Sequence, residues 1–253
     1  MTLHQLRFDL RALLRNRQAQ FFTLILPPLF LVIFASIFGS GTVKAAGGRI
    51  DTSVSYVPGI MALGIIAPAF VNLVITITAE RESGRLKRRR ATPVPAGAII
   101  GARALSSVVL ALANAAGLLL IGWAAFGVHL SARTAPALVL TIVVGALSFC
   151  CLGYAVGSIV HDQDAAQPVT QGITLPLYFI SGVFVAASTL PGWLTDVAAV
   201  FPVRHLAAAL LTAYNPHTQG AGVSAVDLLV VAGWGMAGLL IALRRFSWLP
   251  LGR

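Results

Sequence analysis

The chain has 253 residues, 57% of them apolar and only 10% charged, with a formal charge of +10. Soluble domains carry about 25% charged and about 45–50% apolar residues. The composition excludes an ordinary soluble enzyme and a disordered chain. It points to an all-α polytopic membrane protein forming one transmembrane domain over 1–253. On such a chain, basic residues read as topology signals and lipid contacts rather than as a nucleic-acid surface.

Residues 3–17 form the first element. Leu3, Leu6, Leu10, Leu13 and Leu14 recur at helical spacing, and Arg7, Arg11 and Arg15 step by four on another face. This division suits an amphipathic helix lying in the membrane interface, within 1–19. A bilayer crossing needs about 20 mostly apolar residues. Six runs qualify, at about 20–39, 56–79, 104–126, 136–160, 169–187 and 224–243. The first is read as a span rather than a cleaved leader, because its apolar stretch is too long and holds Pro27-Pro28. Pro58, Pro68 and Pro176 mark kinks, which neighbouring helices can accommodate in lipid.

Six spans place both termini on one side. The N-terminal arm, the loop after the second span and the C-terminal tail hold 14 of the 18 Lys and Arg residues. By the positive-inside rule both termini are cytoplasmic. Segment 187–223 lies on the other side. Its apolar runs are broken by Pro191, Pro202 and Pro216 and are too short to span. They read as external re-entrant or interfacial helices, with Arg204 and His205 facing water or headgroups.

The chemistry of common catalysts is missing. There is no G-x-x-x-x-G-K-[ST] phosphate loop, no H-E-x-x-H and no G-x-S-x-G. No span has a central Asp or Glu; Asp227 comes closest. The adjacent Cys150 and Cys151 have no metal or disulfide spacing. No metal or bound cofactor is expected on this chain. Asn72, Thr76, Asn114, Thr174 and Ser181 are modestly polar span residues that can line a substrate path as a group. Taken singly, each is explained as well by a helix–helix hydrogen bond of about 0.6 kcal/mol. Gly145, Gly153 and Gly157 suit close helix packing.

The loop 80–98, ERESGRLKRRRATPVPAGA, is the most unusual segment. Two acids, Glu80 and Glu82, sit where it leaves the second span; Gly84 and a dense cationic run follow. Thr92-Pro93 stops a helix, because proline cannot continue one and bends its predecessor out of helical geometry. A short charged helix over about 81–90 is expected beneath the membrane, where it can dock a cytoplasmic partner.

These parts resemble the permease subunit of type-2 ABC exporters, in particular the bacterial drug-resistance branch of daunorubicin type. The specific portion is Glu80-Arg81-Glu82-Ser83-Gly84-Arg85-Leu86 with Ala91-Thr92-Pro93-Val94, similar to the family's E-R-E-x-G-T-L stretch and T-P-V turn. Arg85 stands where the family often has Thr, and Lys87 where an acid is common. The resemblance implies a coupling helix seated on a separate ABC ATPase, with Glu80, Arg81, Glu82, Gly84, Arg85, Leu86, Thr92 and Pro93 as the coupling residues. It implies that ATP and Mg are held by that partner and that this chain is not itself an enzyme. It also implies a second permease copy or a sister permease, a bacterial plasma-membrane location, and outward movement of a hydrophobic or amphipathic small molecule. Two other readings stay open: a permease for a lipid or polysaccharide precursor, and a non-catalytic membrane scaffold.

Overall fold

The computed structural model describes residues 25–38, 41–45, 48–84, 96–127, 130–184 and 190–245. The interfacial arm 1–19, the loop from Arg85 to Pro95 and the tail from Phe246 lie outside these. The described chain is helical, as the composition requires. Its helices are α1 (Leu26–Phe38), α2 (Thr52–Ile66), α3 (Asn72–Glu82), α4 (Ala96–Phe126), α5 (Ala135–Ile159), α6 (Gln163–Ile180), α7 (Gly192–Ala198), α8 (Pro202–Tyr214) and α9 (Ala225–Arg245). A small antiparallel hairpin, β1 (Thr42–Ala45) and β2 (Gly48–Asp51), pairs Thr42 with Asp51 and Val43 with Ile50 between α1 and α2. The hydropathy pattern gave no sign of it.

Four helical runs are long and apolar enough to cross a bilayer: Ser55–Glu82, Gly101–Ala125, Ala135–Ile159 and Ala225–Arg245. The pair α7–α8, bent by 98° at its break, makes up to five if it counts as one span. One of the six expected spans is only partly described, and another falls short for a physical reason. In α1 the described apolar stretch is Leu26–Ile37, and residues 20–24 of the candidate are not described. The run expected at 169–187 is α6, which begins six residues earlier. Asp162 caps it by accepting a hydrogen bond from the Ala165 N–H, at 2.7 Å. Gln163, Asp164 and Gln167, expected in a loop, thus join the helix and lower its hydropathy.

Ser55–Glu82 is the central rod, 28 residues long. Val57, Ile60, Met61, Ala62, Ile65 and Ile66 are buried on every side of α2, as expected of a helix apolar all round. Between α2 and α3, Ala67–Val71 forms a π segment, closed by the Asn72 N–H bonding the Ala67 carbonyl. Pro68 lacks an N–H, so the α ladder cannot run through it unbroken.

Side-chain contacts fix the helix directions. Arg103, near the start of α4, meets Glu80 at the end of α3, and Gly122 near the end of α4 meets Val57 at the start of α2. Helix α4 is therefore antiparallel to the rod. Helix α5 returns, with Gly153 against the Ala69 carbonyl and Leu73, and Gly157 against Ile77. Helix α6 leaves from the Glu82 end. The segment after it brings Val183 to α2, its carbonyl lying 2.6 Å from where a Cβ on Gly59 would sit. Phe184 there stacks on Phe34 of α1 at 5.3 Å.

Helices α5 and α9 pack most extensively and run parallel. A Cβ on Gly235 would lie 2.6 Å from the Ser148 hydroxyl, and one on Gly238 would lie 2.9 Å from the Leu152 nitrogen. Only glycine permits that approach. On the outer faces Leu120, Trp123, Leu147, Phe179, Leu229 and Leu243 are exposed. So many exposed large apolar side chains suit contact with lipid rather than water.

Candidate functional site

The Glu80-Arg81-Glu82 triplet closes α3, and each side chain goes to a different element. The Glu80 carboxylate accepts from the Arg103 guanidinium of α4 at 2.6 Å. Arg81 is 2% exposed. Its guanidinium donates to the Gly157 carbonyl at 3.0 Å, to the Val160 carbonyl, and to the His161 carbonyl at 3.2 Å. These oxygens lie at the C-terminal end of α5, where carbonyls lack partners in their own helix. A cation there also meets the negative end of the helix dipole. The Glu82 carboxylate accepts from the Gln163 N–H at 3.0 Å, in the first turn of α6. An acid suits that position for the converse reason.

The helix then ends. Ser83 and Gly84 bond back to the Ala79 and Arg81 carbonyls, and Gly84 adopts φ +68. That left-handed conformation is cheap only for glycine. The expected helical continuation at 81–90 therefore has its first two residues, Arg81 and Glu82, inside α3. Arg85, Leu86, Thr92 and Pro93 lie outside the described residues. The spacing in the sequence gives no hint of the three partners of Glu80, Arg81 and Glu82.

The polar span residues divide into two kinds. Thr76 donates to the Asn72 carbonyl at 2.6 Å, and Thr174 to the Thr170 carbonyl at 2.8 Å. Both hydroxyls are satisfied within their own helices, a common outcome for threonine. Asn72 is half-buried one turn before Thr76. Asn114 donates to the Leu110 carbonyl at 3.3 Å, but its Oδ1 is buried without a partner, as are the Ser181 and Tyr214 hydroxyls. Asn114 sits beside Gly64 of α2. Thr174 lies in α6, and Ser181 at its end. The five candidates are thus spread over α3, α4 and α6.

A second polar cluster joins Arg204, His205 and Asp227, which the sequence marks only one by one, with Ser224, which it does not mark. His205 at the start of α8 meets the Asp227 carboxylate of α9 at 2.6 Å through Nδ1, and the Ala199 carbonyl at 2.8 Å through Nε2. Ser224 also donates to Asp227. Arg204 donates to the Thr195 carbonyl of α7. The 22-residue separation of His205 and Asp227 has no local signature.

A helical membrane protein with a charged triplet tying one helix end to three others is the class defined so far. The profile of the ABC-2 type transporter family matches residues 5–214. The chain belongs to that family. It is 25% identical over 189 residues to "Daunorubicin resistance ABC transporter permease protein DrrB1" of Streptomyces coeruleorubidus, covering 73% of this chain and 64% of that one. It is 24% identical over 157 residues to "Probable multidrug ABC transporter permease YbhR" of Escherichia coli strain K12, covering 62% and 42%. It is 24% identical over 190 residues to "Inner membrane transport permease YadH" of the same strain, covering 73% and 72%. The chain thus spans 64% and 42% of the lengths of the first two relatives.

Proposed function

We propose that this chain is the membrane-spanning permease subunit of an ABC exporter, driven by ATP and Mg on a separate cytoplasmic ATPase. The match to the ABC-2 family over 5–214 carries this reading. The drug-resistance and multidrug names of two relatives favour a hydrophobic or amphipathic small molecule as cargo. A chain without a phosphate loop receives work through a mechanical contact. We assign that contact to the coupling loop 80–98, with Gly84, Arg85, Leu86, Thr92 and Pro93 facing the ATPase.

Six crossings fit the alternating directions of α1, the α2–α3 rod, α4, α5, α6 and α9. The Glu82 end is then cytoplasmic, along with both termini and the interfacial arm 1–19. Segment 187–223 is then re-entrant from the outside. Two contacts support this. Trp234, more than two turns into α9, donates to the Val200 carbonyl at 2.9 Å, so the α7–α8 break reaches inward. Thr134 and Ala213 both lie against Gly222, so α8 climbs back to the outer end. The transport path runs between this chain and a second permease, identical or sister. Of its candidate lining residues, Asn72 and Thr76 are half-buried and keep some surface, whereas Asn114, Thr174 and Ser181 are buried within this chain.

The test is capture of the chain from gently solubilised native membranes. The expected result is a co-purifying P-loop ATPase that is released when Gly84 is replaced by a bulky residue. Daunorubicin uptake into vesicles containing both chains then reads transport. Failure of any such ATPase to accompany the chain, under conditions that keep other membrane complexes whole, overturns the reading.

A further inference from the structure

We infer that Glu80-Arg81-Glu82 is an intrachain clamp, through which displacement of the following loop moves α4, α5 and α6 together. Its use in transport rests on the permease reading; the clamp itself does not.

Three observations converge. First, consecutive residues reach three different helices, with Glu80 on Arg103 of α4, Arg81 on the end of α5 and Glu82 on the start of α6. Second, the bonds at Arg81 and Glu82 are caps supplied from another helix. Arg81 serves carbonyls at the C-terminal end of α5, and Glu82 serves the first N–H of α6. The turn at Val160–Asp162 is thereby gripped on both sides, with Asp162 adding its own cap at Ala165. Hydrogen bonds with one ionised partner are roughly twice as strong as neutral ones. Third, α3 stops at Glu82 and Gly84 turns the chain away, so the loop begins directly beneath the clamp.

The arrangement gives these residues a role other than docking. Arg81 is buried, and Glu80 and Glu82 bond Arg103 and Gln163 of this same chain. They are positioning residues. A pull on Ser83 acts on the base of α4 and on the α5–α6 turn, because those bonds must move with α3 or break. A loop cut loose from them would still meet a partner, but its motion would not reach the spans.

The experiment has a partner-independent arm and a coupled arm. The first is hydrogen exchange on the full chain in nanodiscs. Arg81→Gln and Glu82→Ala should each speed exchange over 158–167 roughly tenfold, the factor for one lost charge-assisted bond. Exchange over 136–146 should not change. Unchanged exchange over 158–167 overturns the clamp.

The second arm uses the chain captured with its ATPase, with Cys150 and Cys151 changed to Ala and nitroxides placed at Gly101→Cys on the clamped α4 and at Ile25→Cys beside α1, which the triplet does not touch. Trapping ATP-Mg should alter the distance between the labels. Glu80→Gln should at least halve that change without reducing ATPase capture, and the swap Glu80→Arg with Arg103→Glu should restore it. Lost capture that the swap does not rescue places Glu80 against the partner and overturns the inference. So does a nucleotide response that Glu80→Gln leaves intact, or its absence in the unaltered complex. If the unaltered chain captures no ATPase, the permease reading fails, and exchange alone decides the clamp.

Discussion

The two ends of the helix bundle are both held by polar contacts, but they are built differently. At the Glu82 end, three consecutive residues reach out to three helices. At the other end, residues distant in sequence converge, with His205, Asp227, Ser224 and the Ala199 carbonyl joining α7, α8 and α9. The 25 residues of α5 set the distance between the ends, roughly 38 Å along the axis. The first end concentrates its contacts on one strand of chain that continues into a loop. The second distributes them over helices without such an exit. Concentrated contacts suit transmission of a displacement, and distributed ones suit holding a closed rim.

Substitutions can break or sharpen that contrast. The largest effect is expected from Arg81→Ala. It leaves the Gly157, Val160 and His161 carbonyls without this donor in a buried place, at about 1–3 kcal/mol for each group left unsatisfied. Thermal unfolding in detergent should show a large fall, with proteolysis beginning near 160. Next, Gly238→Leu should force α9 away from α5, because even a Cβ would meet the Leu152 backbone at 2.9 Å. Overpacking of this kind costs about 1–3 kcal/mol. It should lower the unfolding temperature without loosening the 158–167 turn, separating general packing from the clamp.

At the Asp227 end, Asp227→Asn should cost about 1–2 kcal/mol, since His205 loses its charged partner. A double-mutant cycle with His205→Ala should show coupling between the two. If Asp227→Asn instead matches Arg81→Ala in size, the two ends do not differ as described. The smallest effect has the opposite sign. Tyr214→Phe removes a buried hydroxyl without a partner, so stability should hold or rise by up to about 1 kcal/mol.

Much of the fold was legible because hydropathy is a long-window signal. The runs at 136–160 and 224–243 match α5 and α9 to within two residues at each end, and 104–126 lies inside α4, which starts eight residues earlier at Ala96. Gly153 and Gly157 were legible as packing residues because a missing side chain has one obvious structural use. The hairpin at 42–51 was not, since four-residue strands leave little periodicity. Nor was the start of α6, where polar residues that resemble a loop are recruited by the Asp162 cap. For the candidate site, the sequence made the importance of Glu80-Arg81-Glu82 visible but not its direction. Charge at a membrane exit suggests an outward-facing role, whereas the partners, some 20 to 80 residues away, turn it inward.

The π segment at Ala67–Val71 has a geometric consequence for that direction. Each residue of an α-helix turns the chain by about 100° and advances it by about 1.5 Å. The wider turn holds one more residue than an α ladder would need, so it acts as a phase shifter within the rod. If the same residues closed into an unbroken α ladder with none removed, the faces of α2 and α3 would be rotated by about a quarter turn relative to each other. Arg81 would no longer point at the Gly157 carbonyl, although every hydrophobic residue of the span remained. The angular setting of the triplet is thus fixed three turns away, at Pro68, and the rod carries torsional alignment as well as length.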